Sequence, residues 1–235
     1  MAAAATERIR LITGILLGPI YTPVLLAKAS ASLATISGGR LTLGLAPGGR
    51  PDDFKAAERP LHTRGRDFDA ELEVLHHAWA GEPVKGSPEP VGPPVPGGRI
   101  PVVLGGTTEA AVRRTVRWGD GWTAGGGGPA MAAPMLDRVR AAWKEANREG
   151  EPRLGALAYF GLGDDAIRAG AENLKHYYAF TGYAQQAADS MLTSEKAVRD
   201  ALRAFEDVGL TELYLEPAAA IPDQVDRLAD AAGIG

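Results

Sequence analysis

The stretch Ile100–Ala124, IPVVLGGTTEAAVRRTVRWGDGWTA, decides how this 235-residue chain is read. Ile100–Gly105 is an apolar run of strand length, Thr107–Trp118 carries apolar positions at helical spacing, and Gly121–Ala124 returns to a strand pattern. Two strands joined through a helix lie parallel, because only a crossover of that length brings the chain back to the same end of a sheet.

The same unit recurs outward from it. Upstream, Arg8–Leu17 (RIRLITGILL) reads as one strand closed by Gly18-Pro19. Pro23–Ser37 reads as a helix with Leu25, Ala29, Leu33 and Ile36 on one face, ended by Gly38-Gly39. Arg40–Leu45 (RLTLGL) is the next strand, and Thr63–Gly81 a helix whose stripe of Phe68, Leu72, Leu75 and Trp79 is core. Between Glu82 and Arg99 stand Pro83, Pro88, Pro90, Pro93, Pro94 and Pro96 with several glycines, so residues 82–100 form a surface loop, a plain connector or a lid.

Downstream, Met135, Val139, Ala142 and Trp143 mark a helix and Arg153–Phe160 (RLGALAYF) a strand. Asp164–Ser190 is helical with a break at Thr181-Gly182, and a helix bearing Val198, Leu202 and Phe205 stops at Gly209. Glu212–Glu216 (ELYLE) is the last strand and Asp223–Ala232 the closing helix. About six βα units result, read as a single domain over residues 1–235 built on either an open doubly wound sheet or a barrel.

Composition narrows the function. Lys and Arg number 25 against 29 Asp and Glu, a net charge of -4, with no basic tract, so nucleic acid is not the expected partner. No apolar run is long enough for a membrane span and the Met1–Ala5 alanine run lacks the pattern of a signal peptide, so the expected location is the cytoplasm. The absence of cysteine excludes disulfides, thiolate catalysis and cysteine-held metals. His76 and His77, neighbours on a helix, point about 100° apart and cannot share a metal ion, and no metal site is expected.

Two glycine turns remain, both at the C-terminal ends of strands, where α/β folds place ligands. Gly44 through Pro51 has the glycine spacing of a P-loop, but Arg50 and Pro51 stand where phosphate and magnesium chemistry need Lys and Ser/Thr. It reads as a tight turn, or as a place where Gly48 and Gly49 admit a flat ligand to the backbone. Gly105-Gly106-Thr107-Thr108 opens a helix, so its N–H groups, two hydroxyls and the helix dipole suit a phosphate monoester. The other reading makes Thr107 or Thr108 an N-cap, with Glu109 serving the dipole and Arg113. His62, in the loop before a helix, is a weak acid–base candidate.

Taken in order, Thr6-Glu7-Arg8-Ile9-Arg10-Leu11, Pro23 with Ala27-Lys28, Ser37 through Gly44, Gly48 through Phe54, Arg64-Gly65-Arg66 with Glu71, Trp79-Ala80-Gly81, Pro101 through Thr107 and Gly119-Asp120-Gly121-Trp122 resemble the luciferase-like monooxygenase family. The resemblance implies an incomplete TIM-like (β/α) barrel of about six parallel strands instead of eight, the family's first two strands being absent ahead of Thr6. It implies reduced FMN, or alternatively the deazaflavin coenzyme F420, across the strand ends. Gly105, Gly106, Thr107 and Thr108 would hold the phosphate, Ala46, Pro47 and Gly48 would lie against the ring or ribityl chain, and Trp122 would line the mouth with Tyr21 and His62. Some family members place a phosphate-binding arginine where this chain has Pro47.

The expected activity is that of a flavin-dependent oxidoreductase or monooxygenase acting on a small organic substrate, with a flavin reductase as a candidate partner. The alternative is a non-catalytic flavin-binding protein or partner subunit of the same origin. Six strands leave two edges that template pairing, so a homo-oligomer covering them is expected.

Overall fold

The computed structural model describes residues 1–84 and 86–234, leaving Lys85 of the 82–100 loop outside the described residues. The chain divides into two compact units, Met1–Gly121 and Trp122–Gly235, where the sequence reading takes one domain.

In the first unit the elements run α1 (Ala2–Ala5), β1 (Leu11–Ile12), β2 (Leu16–Leu17), α2 (Pro23–Ile36), β3 (Leu41–Ala46), α3 (Pro51–Ala56), α4 (Arg64–Trp79), β4 (Val102–Gly105) and α5 (Glu109–Trp118). β3 is parallel to all its neighbours: Leu11 pairs with Leu41, Leu17 with Ala46, and Leu43 and Leu45 with Val102 and Leu104. The strand expected over Arg8–Leu17 is therefore one rung in two pieces. At its break the Thr13 hydroxyl accepts from the Gly44 N–H at 2.8 Å and lies 2.9 Å from the Gly44 carbonyl, replacing ladder bonds that the backbone no longer makes. A Cβ at Gly44 would collide with the Thr13 carbonyl oxygen, so the stitch demands glycine.

The stripe on α4 is buried as read, Phe68, Leu72, Leu75 and Trp79 all packing into the core with Leu41, Leu43 and Leu45. The face read on α2 is the opposite of the one buried. Leu25 is 65% and Ile36 70% exposed, while Leu26, Ala27, Ser30, Ala31 and Ala34 face α4. Small residues win because they let the two helix backbones approach, close enough for the Trp79 indole to donate to Ser30 Oγ at 3.1 Å and to the Ala27 carbonyl at 3.3 Å. The sequence reading has no helix at α3, although Pro51 at its first position and Asp52 and Asp53 in its first turn are ordinary start signals.

The proline-rich connection holds only a short turn at Pro96–Gly98, as its composition requires, but it is not a lid. It leads from the end of α4 into the start of β4, on the N-terminal side of the strands, and it is anchored there by buried Val84, Val95 and Ile100.

The second unit runs β5 (Gly121–Ala124, whose first residue closes the first unit), α6 (Pro129–Glu145), β6 (Arg153–Phe160), α7 (Asp164–Tyr177), α8 (Ala184–Asp189), α9 (Glu195–Asp207), β7 (Glu212–Pro217) and α10 (Gln224–Ala232). The strand order is β5-β6-β7, with β6 and β7 parallel from Gly155↔Glu212 to Phe160↔Pro217. The break read at Thr181-Gly182 is real, Gly182 adopting a left-handed φ of 77° between α7 and α8. No helix among the described residues is long and apolar enough to cross a membrane.

One polar group interrupts the α4 core. Glu71 is 1% exposed, neither carboxyl oxygen has a hydrogen-bond partner among the described residues, and a Cβ at Gly18 would fall 2.5 Å from Oε2. Burial pushes its pKa up to about 8, against a smaller attraction from Arg59. Between pH 4.5 and about 8 the folded chain thus holds a proton that the unfolded chain has lost, and stability falls across that window as pH rises.

Two outcomes are expected in unfolding experiments. Ala31→Leu, overpacking the α2–α4 contact, should cost about 1–3 kcal/mol in urea, whereas Leu25→Ser should stay within about 0.5 kcal/mol; the reverse order would mean that α2 packs by its other face. Glu71→Gln should flatten the pH dependence, its Tm rising relative to the parent from pH 5 to pH 8. A parallel pair of Tm curves would show that Glu71 is ionised in the fold.

Candidate functional site

In the first unit the C-terminal ends of β2, β3 and β4 lie level, since Leu17 pairs with Ala46 and Leu45 with Leu104. The loops leaving them therefore adjoin. A Cβ at Gly105 would meet Ile15 Cδ1 at 3.0 Å and Ala46 Cβ at 3.3 Å, so the glycine turn after β4 rests directly on the end of β3. Ala46, Pro47 and Gly48 are half-buried beside it, and Gly49 has open space where a side chain would stand.

Gly48 takes a left-handed φ of 73° with its missing Cβ directed at Leu17 and Phe54, 3.3 Å away. Its carbonyl accepts from Arg64 Nε at 3.0 Å, while Arg64 Nη1 donates to the Leu61 carbonyl at 3.0 Å. Arg64, known from the sequence only as part of a family pattern, is thus the brace that fixes the β3 turn.

After β4 the chain turns through Gly106, at φ 122°, where a Cβ would press on Ala111 Cβ at 3.0 Å. Thr108 is the N-cap of α5, its hydroxyl accepting from the Ala111 N–H at 3.3 Å, so the capping reading holds for this residue. Thr107 is exposed and makes no hydrogen bond among the described residues. The helix is held by Arg114, which forks onto Asp69 at 2.6 and 3.0 Å and donates to the Gly65 carbonyl at 2.9 Å, tying α5 to α4. The result is a glycine cradle at the positive end of a fixed ten-residue helix, with one hydroxyl unengaged and a second still able to donate its proton.

The remaining sequence candidates are placed less favourably. Tyr21 closes a short turn after β2 and is 40% exposed, and His62 is exposed in the turn before α4, so both lie on connections that leave strand C-terminal ends. Trp122 does not line a mouth. It is 1% exposed and stands at the start of β5, the end of the strand opposite to the one where ligands gather.

The Gly119-Asp120-Gly121 signature is likewise architectural, Asp120 accepting from the Val102 N–H at 2.9 Å and from Arg99 at 2.5 Å. His76 is half-buried with Nε2 donating to the Trp118 carbonyl at 3.0 Å. Burial, followed by repulsion from Arg99, lowers its pKa to about 4 and keeps it neutral at pH 7. His77 pairs instead with Glu82.

Residues 1–234 match the luciferase-like monooxygenase family. An uncharacterized protein of Mycobacterium tuberculosis is 30% identical over 171 residues, which cover 70% of this chain and 59% of that protein. Among solved structures, an F420-dependent secondary alcohol dehydrogenase in complex with an F420–acetone adduct superposes with a TM-score of 0.76 at 15% identity, over 98% of this chain and 82% of its own. A type II Baeyer–Villiger monooxygenase from Pseudomonas putida in complex with FMN gives 0.72 at 17% identity, over 98% and 79%.

The fold is thus α/β of the luciferase-like, TIM-barrel kind, carrying six rungs of strand among the described residues where a full barrel has eight. The chain belongs to the luciferase-like monooxygenase family.

Proposed function

We propose that this protein is a flavin-dependent oxidoreductase or monooxygenase of a small organic substrate, using reduced FMN or, in the alternative, the deazaflavin coenzyme F420. The observation that carries the reading is the cradle at Gly105–Thr108. It offers glycine backbone into which a side chain would not fit, a helix N-terminus, and the unengaged Thr107 hydroxyl. Those groups suit the phosphate that terminates the ribityl chain of either cofactor, so they support a flavin without choosing between the two.

When bound, the reduced flavin supplies the hydride or oxygen chemistry. The chain's own part is to hold and orient it: Gly106, Thr107 and Thr108 take the phosphate, and Ala46, Pro47 and Gly48, braced by Arg64, give an apolar shelf for the ring or ribityl chain. Tyr21 and His62, on connections that leave strand C-terminal ends, are the candidates for holding a proton. We further propose that the protein is cytoplasmic, supplied by a flavin reductase, with a second copy of the chain covering the open strand edge that exposed Ile9 precedes. A second reading, a flavin binder without turnover, is favoured by His62 standing exposed with no partner among the described residues to orient it.

Titration of FMN fluorescence tests the site. Quenching should saturate at micromolar protein, and Thr107→Ala should weaken binding roughly tenfold, about 1.4 kcal/mol, with no loss of stability because Thr108 and not Thr107 is the cap. Unaltered affinity in the variant would remove the phosphate from this cradle. Substrate-dependent oxidation of the reduced cofactor then separates enzyme from binder.

A further inference from the structure

The second unit holds a cavity that the cradle does not use. It has a volume of about 430 Å³, within the range of small-molecule sites. It opens at the C-terminal end of the strands, where the Gly125–Gly128 run leaves β5 and Tyr159 stands one residue from the end of β6, and the α7–α8 connection forms its far wall. The walls are Met131, Tyr159, Tyr178 and Tyr183 over glycine backbone, with neutral polar groups at Thr181 and Gln186 and no charged side chain among the described lining residues.

The glycine run brings bare backbone against these walls. A Cβ at Gly126 would only touch the edge of the Tyr159 ring, at 3.6 Å, whereas Gly127 adopts a φ of 133°, a conformation that favours glycine, with the Met131 thioether beside it.

Its one focused polar feature is a pair of phenols. The hydroxyls of Tyr159 and Tyr178 are 3.0 Å apart, their rings edge to face at 70°. Two hydroxyls joined by one hydrogen bond keep one further proton to donate, and that donor is polarised by the bond behind it. Burial and the bond to Tyr178 raise the Tyr159 pKa, so Tyr159 stays protonated and uncharged. An anion would find no cation here, whereas a neutral oxygen finds a donor at the end of an apolar chamber.

We propose that this cavity binds the substrate, an uncharged, largely apolar molecule bearing a single carbonyl or hydroxyl oxygen, with that oxygen held by the Tyr159–Tyr178 pair. The word substrate rests on the flavin reading above; the binding chemistry does not.

The test is calorimetric titration of the full chain with three probes of one shape: acetylcyclohexane, cyclohexanecarboxylate and cyclohexyltrimethylammonium. The ketone should bind at least tenfold more tightly than either ion. Tyr178→Phe and Tyr159→Phe should each weaken the ketone about five- to tenfold while leaving FMN affinity unaltered, and Met131→Trp, filling the chamber from its exposed rim, should abolish ketone binding. Preference for the ammonium ion would make the tyrosines a cation cage, and ketone affinity unmoved by both Phe variants would take the oxygen off the phenols; either overturns the proposal. Ketone binding with neither FMN nor F420 bound would sink the flavin reading and leave this site standing, whereas binding of either cofactor without ketone binding would do the opposite.

Discussion

Parallel pairing along both edges of β3 is the constraint on which the first unit depends. Leu41–Ala46 bonds on one side to a rung in two pieces and on the other to β4, and its residues are buried on both faces except at the C-terminal end. A strand so enclosed must be apolar throughout and must tolerate no slip, because a shift of one residue would turn every side chain to the other face. Parallel pairing also sends each chain out at the same end, so the turns after β2, β3 and β4 meet without any residue being selected for that meeting.

Where the ladder fails, side chains take over. Thr13 stitches the broken rung to Gly44, Arg64 braces the turn at Gly48, Arg114 ties α5 to α4, and Asp120 clamps the start of β4. The cradle at Gly105–Thr108 is therefore rigid because its supports are hydrogen-bonded, and it is polar only at its surface. Glu71 is the exception, a carboxyl buried against Gly18 without a partner among the described residues, at a cost that the surrounding apolar packing offsets.

Much of this was legible. The strands over Arg40–Leu45, Gly121–Ala124, Arg153–Phe160 and Glu212–Glu216 and the core stripe of α4 follow from periodicity, because a buried face needs apolar residues at the period of the element that carries it. The β3 and β4 turns could be found because paired glycines directly after an apolar strand mark backbone that must turn sharply or be approached closely. Periodicity failed on α2, where large apolar residues formed one face and small ones the other, and the helix contact chose the small ones. Trp122 was read from the family resemblance and not from periodicity, and its place in a signature said nothing about which end of β5 it occupies.

The βα alternation, the family and the pair of glycine turns are properties of the chain alone, since each is written in local spacing that neighbours along the backbone can read. The packed fold was needed to establish that Thr108 caps while Thr107 stays unengaged, that the proline-rich connection lies away from the strand ends where ligands gather, and that Tyr159 and Tyr178 share a hydrogen bond. The first is a choice between two adjacent hydroxyls that only the backbone geometry at the helix start makes, and the others depend on which groups meet across the fold, which leaves no period behind it.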